Sequence, residues 1–340
     1  MRFTVYPSAR VFAENRETTA VHSKFLTIII PIYNAVDYIT KAAESITAQH
    51  QANVEIVLVD DGSTDDSLET CLKLLNGINT VIIKQENQGL SGARNSGIMA
   101  ASGEYILFLD ADDYLLPGAI ENICKALKAE KPDVLFGRYR RWNPQEGLHK
   151  HKPYDFNPPC DQKTEYILSA LPEPSWNAWR YVCRREFLIE NELFFKHGML
   201  CEDVPWTLSL LEAADSLAFL QEPFYAYFHR RPNSILNTPK PQRIIDLNTH
   251  VKELLEKYPD RPALCRQLVW QSFLYINEYC RFDPGGRKQL LESYKTVLPL
   301  YKQSDNRLHR VIRFCRNAIL LYVVSAGLTA LKTMRRLWMR

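Results

Sequence analysis

Leu26-Thr27-Ile28-Ile29-Ile30-Pro31-Ile32-Tyr33-Asn34 decides the fold of this chain. A β-branched apolar run ended by Pro31 reads as a strand buried on both faces. Working outward, helical stretches near 37–50, 65–76, 91–101 and 117–129 alternate with apolar runs at 54–59, 80–83, 104–109 and 134–136. That alternation predicts βαβ units, hence an α/β protein with a mainly parallel sheet flanked by helices. Ligands bind beyond the carboxyl ends of such strands, so the residues just after each strand are the ones that carry function.

Composition sets the outer limits. The 340 residues are 46% hydrophobic and 24% charged, which excludes a mainly disordered or collagen-like chain. The formal net charge of +3 is unevenly spread: from Asp305 onward eight Lys/Arg face one acid, a local +7 that leaves −4 on the first 304 residues. A body with that balance is not expected to bind nucleic acid. The eight cysteines include no C-x-x-C pair, so zinc-site spacing and a dense disulfide pattern are both absent, and buried reduced thiols are expected. Residues 1–24 lack the apolar core of a secretory signal and read as a loosely held extension, with the protein cytoplasmic.

The strand ends read Pro31-Ile32-Tyr33-Asn34, Asp60-Asp61-Gly62-Ser63, Gln85-Glu86-Asn87-Gln88-Gly89 and Asp110-Ala111-Asp112-Asp113. No G-x-G-x-x-G follows the first strand and there is no P-loop, which disfavours a dinucleotide-dependent enzyme and a P-loop NTPase. Asp110 and Asp112, at i and i+2 on the turn leaving a buried strand, can offer hard oxygen ligands to Mg²⁺ or Mn²⁺ beside a substrate's phosphates. The competing reading is a turn whose carboxylates bond their own backbone.

These motifs together resemble the catalytic core of family 2 glycosyltransferases, which have the GT-A (Rossmann-like) fold. The likeness rests on Ile30–Asn34, Val59–Asp65, Asn87–Gly97 and Asp110–Asp113, and continues more loosely through Cys201–Trp206 and Tyr227–Ile235. It implies a nucleoside diphosphate sugar donor, with UDP-sugar expected, and Mn²⁺ or Mg²⁺. Pro31, Tyr33 and Asn34 would line the nucleoside pocket, with Asp61 accepting from the base and Asp60 beside it. Arg94 would flank the nucleotide, or else form a structural ion pair at the helix start. Asp110 would face ribose or metal, Asp112 would be the metal ligand, and His229 a further one. Asp203 would be the general base, or alternatively a cap of the helix that follows it. Glu202, Trp206, Trp176, Arg230 and Arg231 would lie on the acceptor or diphosphate side, although Trp176 and Trp179 also suit plain packing.

The family also implies transfer to a hydroxyl of a glycan or lipid-linked acceptor, by single displacement with inversion, in cell-surface polysaccharide synthesis. The alternatives are a sugar-phosphate nucleotidyltransferase, disfavoured because no Gly-rich basic loop follows the first strand, and an inactive nucleotide- or glycan-binding subunit. The expected organisation is an extension (1–24), a nucleotide-sugar core (25–137), an acceptor-side part (138–240) that begins with a long surface excursion to residue 160, a helical region (241–304) and a basic, apolar tail (305–340). That tail places Arg307, Arg310, Arg313 and Arg316 on one helical side, ahead of 14 mostly apolar residues. At about 1.5 Å per residue this stretch is short of a bilayer core, so the tail either lies on an anionic membrane surface, placing the protein on the inner face of the plasma membrane, or packs on the protein.

Overall fold

A strand buried on both faces must be mainly apolar, and the central strands meet that demand chiefly with Leu, Ile and Val, the buried polar Thr27 and Glu55 being paired with each other at 2.8 Å. The computed structural model describes residues 10–14, 24–149, 166–168, 176–229, 240–303 and 320–328. They divide into two units, the first comprising 1–157, 176–198 and 206–231, the second 158–175, 199–205 and 232–340.

The first unit is built on one sheet. Its strands are β1 (Arg10–Glu14), β2 (Leu26–Ile32), β3 (Val54–Asp60), β4 (Thr80–Lys84), β5 (Tyr105–Phe108), β6 (Tyr114–Leu115), β7 (Val134–Asn143), β8 (Gly147–Leu148), β9 (Tyr181–Arg184) and β10 (Leu217–Phe228). The order is β1-β4-β3-β2-β5-β9-β7-β10-β6, with β8 pairing β7. β4, β3, β2 and β5 run parallel, as the alternation of strands and helices predicts. Helices α1 (Ile39–Thr47), α2 (Ser67–Leu74), α3 (Gly89–Ala100) and α4 (Ala119–Glu130) make the connections. α5 (Arg185–Glu190) follows β9.

Three local expectations are corrected. β2 does not stop at Pro31 but continues to Ile32. Ile29 O accepts from Leu109 N on the β5 side, so by the two-residue period Pro31 also faces that side, where β5 has already ended at Phe108. The missing N–H therefore breaks no ladder. Residues 138–149 are not a surface excursion: β7 runs to Asn143 and turns back through β8, and Trp142 is buried against Phe228, ring centroids 4.5 Å apart. Part of the N-terminal extension is likewise ordered, since Arg10–Glu14 pairs antiparallel with Thr80–Lys84.

The second unit is helical. α7 (Pro241–Lys257), α8 (Pro262–Leu274) and α9 (Pro284–Val297) each begin with proline, where a missing N–H costs nothing. Asn248 ties the three together: its Oδ1 accepts from Ser272 Oγ at 2.6 Å and its Nδ2 donates to Ser293 Oγ at 3.0 Å. The helix at 320–328 joins this unit through buried Leu321 and Ser325, whose Oγ accepts from Cys280 N at 2.9 Å. Leu320, Tyr322 and Val323 are exposed. Among the described residues no helix is long and apolar enough to cross a membrane.

Candidate active site

The carboxyl ends of β2, β3, β4 and β5 gather the polar loops read from the sequence, and each is held by a specific bond. Asn34 adopts a left-handed φ of 47°, and its Oδ1 accepts from Thr64 N at 2.8 Å, bracketing the loop after β2 to the loop after β3. Pro31 is buried within β2, while Tyr33, two residues on, is 53% exposed. Asp60, half-buried, accepts from Ser63 N at 3.0 Å. Gly62, with φ of 79°, lets the β3 turn approach the loop after β4; a Cβ there would lie 3.1 Å from Asn87 N.

Asp61 is buried, and its Oδ1 accepts from Gln85 Nε2 at 2.7 Å and Gln88 N at 2.8 Å. Gln85 is itself oriented by Ser96 of α3, whose Oγ donates to Gln85 Oε1 at 2.6 Å. Desolvation raises the Asp61 carboxyl above its ordinary value, against these hydrogen bonds. The result is an oriented acceptor at the base of the rim.

Arg94 projects from α3 and is 1% exposed; its Nη2 lies 3.0 Å from Asp110 Oδ1. Its guanidinium also sits 5.2 Å from the Phe195 ring centroid and 5.9 Å from that of Phe108. Of the two functions weighed for Arg94, the ion pair is the one present, and its partner is the first aspartate of the D-x-D.

Asp112 is half-buried, whereas Asp113 is 1% exposed. Asp113 Oδ2 accepts from Tyr225 Oη at 2.7 Å and its Oδ1 from Phe228 N at 2.7 Å. Tyr225 Oη in turn accepts from Asp110 N at 3.1 Å. Burial, then the neighbouring Asp112 and Asp110, drive the Asp113 carboxyl well above the usual range. Sequence reasoning gave Asp113, Tyr225 and Gln85 no role. The available signals were a fourth acid directly after the D-x-D and the alternating aromatics of Phe224-Tyr225-Ala226-Tyr227-Phe228.

Asp110 and Asp112 supply the hard carboxylate oxygens that Mg²⁺ or Mn²⁺ prefers. Among the described residues no three His, Cys, Asp or Glu side chains form a complete cage. A cation that keeps waters and takes phosphate oxygens needs only one or two carboxylates, so the donor set fits.

His229 follows β10; its N–H donates to Trp142 O at 2.9 Å, and its ring centroid lies 6.3 Å from that of His149. Arg230 and Arg231 lie outside the described residues. Trp176, Trp179 and Trp206 are all buried, so none offers a ring face to solvent. Trp206 stacks on Phe195 at 4.5 Å and its Nε1 donates to Leu193 O, while Trp176 O accepts from Thr207 Oγ1. They serve packing.

Glu202 and Asp203 belong to the second unit. Asp203 is the first residue of helix α6 (Asp203–Ala213), where a carboxylate suits the helix dipole, and is half-buried, while Glu202 is buried. The preceding Cys201 has φ of 58°, and burial pushes its thiol up to about 12. Leu200 N donates to Asp246 Oδ2 at 2.9 Å, so α7 holds the segment that leads to Asp203.

Residues 27–183 match the family model described as Glycosyl transferase family 2. Glycosyltransferase GlyG of Streptococcus pneumoniae serotype 4 is 31% identical over 227 residues, covering 64% of this chain and 74% of that protein. Glycosyltransferase GlyA of the same organism is 40% identical over 216 residues, covering 61% of this chain but only 31% of that protein's length. Among solved structures, S. aureus TarS 1–349 in complex with UDP-GlcNAc superposes with a TM-score of 0.70 at 19% identity, covering 88% of this chain and 90% of that one. That likeness establishes the GT-A fold.

Proposed function

Because this chain belongs to glycosyl transferase family 2, we propose that it moves a sugar from a nucleoside diphosphate sugar, a UDP-sugar, to a hydroxyl of a glycan or lipid-linked acceptor. The observation that carries this is the linked acidic rim: oriented Asp61 at one strand end and the braced Asp110–Asp113 turn at another. TarS, which shares the fold, is solved with UDP-GlcNAc, which supports the choice of donor.

In this reading Asp61 accepts from the base ring N–H, beside Tyr33, whose exposed ring is available to stack. Pro31 and Asn34 shape that pocket by fixing the loop, and Asp60 holds the turn. Arg94 positions Asp110 toward the ribose. Asp112, with Asp110, would hold Mg²⁺ or Mn²⁺ against the diphosphate, and His229 with Arg230 and Arg231 would close the same side. The bound cation would offset the charge that develops on the leaving diphosphate. Asp203 takes the proton of the attacking hydroxyl, with Glu202 beside it, and displacement in one step inverts the anomeric carbon.

The setting we propose is cell-surface polysaccharide synthesis at the inner face of the plasma membrane, with the protein peripheral and cytoplasmic. The support is the +7 of residues 305–340 beside the exposed Leu320, Tyr322 and Val323.

A thermal-shift panel of nucleotides and nucleotide sugars, with and without Mn²⁺, tests the donor assignment, since a ligand that binds only the native state raises the midpoint. UDP and one UDP-sugar should stand out, more so with Mn²⁺, and Asp112→Asn should abolish the metal increment. A panel with no response to any nucleotide overturns the reading.

A further inference from the structure

The Tyr225 hydroxyl is placed where it grips the acidic turn on both sides of Asp112 without touching it. Its oxygen accepts from the Asp110 backbone N–H at 3.1 Å and its proton goes to Asp113 Oδ2 at 2.7 Å. Asp113 is held on its other oxygen by Phe228 N at 2.7 Å, so one strand, β10, fixes the turn at two points. The phenol ring has no room to drift: it is fully buried and stacked on Trp179, centroids 4.3 Å apart and planes 7° from parallel. A phenylalanine would fill the same space against Trp179. Among the described residues, the hydroxyl's bonds go only to the turn.

We propose that Tyr225 is a positioning residue, which sets the orientation of Asp112 for a divalent cation and a diphosphate by pinning the backbone before it and the carboxylate after it. This rests on the reading of Asp112 as a metal ligand. The physical reason is that such a cation is held by only one or two carboxylates, and Mg²⁺ in particular demands near-ideal octahedral geometry from its oxygen ligands. A ligand on an unpinned turn must be ordered at the moment of binding, and that cost comes out of the affinity. Removing the hydroxyl leaves the Asp110 N–H and one Asp113 oxygen without this partner in a buried place, and the turn relaxes to find others.

Calorimetric titration of UDP into the full chain, once with Mn²⁺ and once with EDTA, tests this directly. Tyr225→Phe should bind UDP in EDTA as the wild type does, and should lose about 10-fold of the affinity gained on adding Mn²⁺, the scale of outer-shell changes at metal sites. Trp179→Phe, which disturbs the stack but keeps the hydroxyl, should lower the thermal midpoint and retain the Mn²⁺ gain. Should Tyr225→Phe not fold, Asp113→Ala removes the acceptor at the other end of the same bond and should show the same selective loss. A wild type that gains from Mn²⁺ alongside a Tyr225→Phe (or, in its place, an Asp113→Ala) that gains equally overturns the positioning role alone. So does a Trp179→Phe that loses as much as Tyr225→Phe, because packing then explains the effect. A wild type indifferent to Mn²⁺ removes the metal reading and this inference with it.

Discussion

Replacing Arg94 by methionine should destabilise the first unit far more than the loss of an ordinary surface ion pair. Methionine keeps an unbranched, polarisable stem of similar bulk between Phe108 and Phe195, so little cavity is created and the charge is the main loss. The Arg94–Asp110 pair is 3.0 Å long, with Arg94 1% and Asp110 23% exposed. Breaking a fully buried pair costs about 3–5 kcal/mol because the remaining charge is stranded. An exposed pair is worth about 0–1 kcal/mol. Asp110 keeps some access to water, which places the expected cost between these limits, at about 2–3 kcal/mol. For a unit of this size each kcal/mol moves Tm by about 2–4 °C, so the drop should be roughly 4–12 °C. Scanning calorimetry of wild type, Arg94→Met and Arg94→Lys at pH 7 measures it. Arg94→Lys should fall between the other two, since it keeps the charge but loses the planar fork. A drop below about 2 °C for Arg94→Met, the size expected of an exposed pair, would show that water already screens this contact.

Three further outcomes are expected. Asp203→Asn keeps the shape of the first helical residue but cannot take a proton, so turnover should fall about 10²–10⁴-fold with donor affinity retained; near wild-type turnover would move the base elsewhere. Asp133, although burial alone would raise its carboxyl, is held below its ordinary value by hydrogen bonds from Arg184, at 2.5 Å, and Ser216. A depressed folded-state value means its contribution is complete above the unfolded value of about 3.9 and is lost as pH falls through the folded one, so Asp133→Asn should flatten the acid limb of a stability–pH curve below about pH 4 and nowhere else. Changing Arg307, Arg310, Arg313 and Arg316 together to glutamine should weaken co-sedimentation with anionic vesicles, at about 1 kcal/mol per charge near the surface, and high salt should mimic the change; binding unaltered by either would favour a tail that only packs on the protein.

The alternating strands and helices of 26–136 were legible because each buried strand is a mainly apolar run that ends in a turn or polar loop. Local pattern and tertiary burial agree there, as at Val54–Asp60. Agreement fails where a strand is amphipathic or short. Arg138, Arg140 and Arg141 made the part of β7 after Gly137 read as loop, yet Arg138 reaches across to β10 to donate to Gln221 O at 3.1 Å, and Arg140 Nε donates to His149 O. Long charged side chains can bury their stems while their ends find carbonyls, a pairing no periodicity reveals. Within the site, single residues at strand ends were readable by type and place, such as Asp61 and Asp112. The bracing of the Asp110–Asp113 turn was not, because Tyr225 lies 112 residues from Asp113 and nothing local marks the two as partners. The same holds for Trp176 and Trp179, whose aromatic rings suggest sugar stacking and whose surroundings make them core.

The place of β9 in the sheet bears on how the chain emerges from the ribosome. Tyr181–Arg184 is wedged antiparallel between β5 and β7, although roughly 75 residues separate it from β5. The parallel strands β2 to β5 are consecutive and can assemble as they are made, which leaves one margin of the nascent sheet, Tyr105–Phe108, waiting for its neighbour. At synthesis rates of about 5–20 residues per second the wait is on the order of 4–15 s. For that interval an entirely apolar strand presents open hydrogen-bonding groups, the template on which neighbouring nascent chains pair wrongly. Translation speed across 109–180 should therefore govern soluble yield more strongly than equally large changes in speed after residue 240.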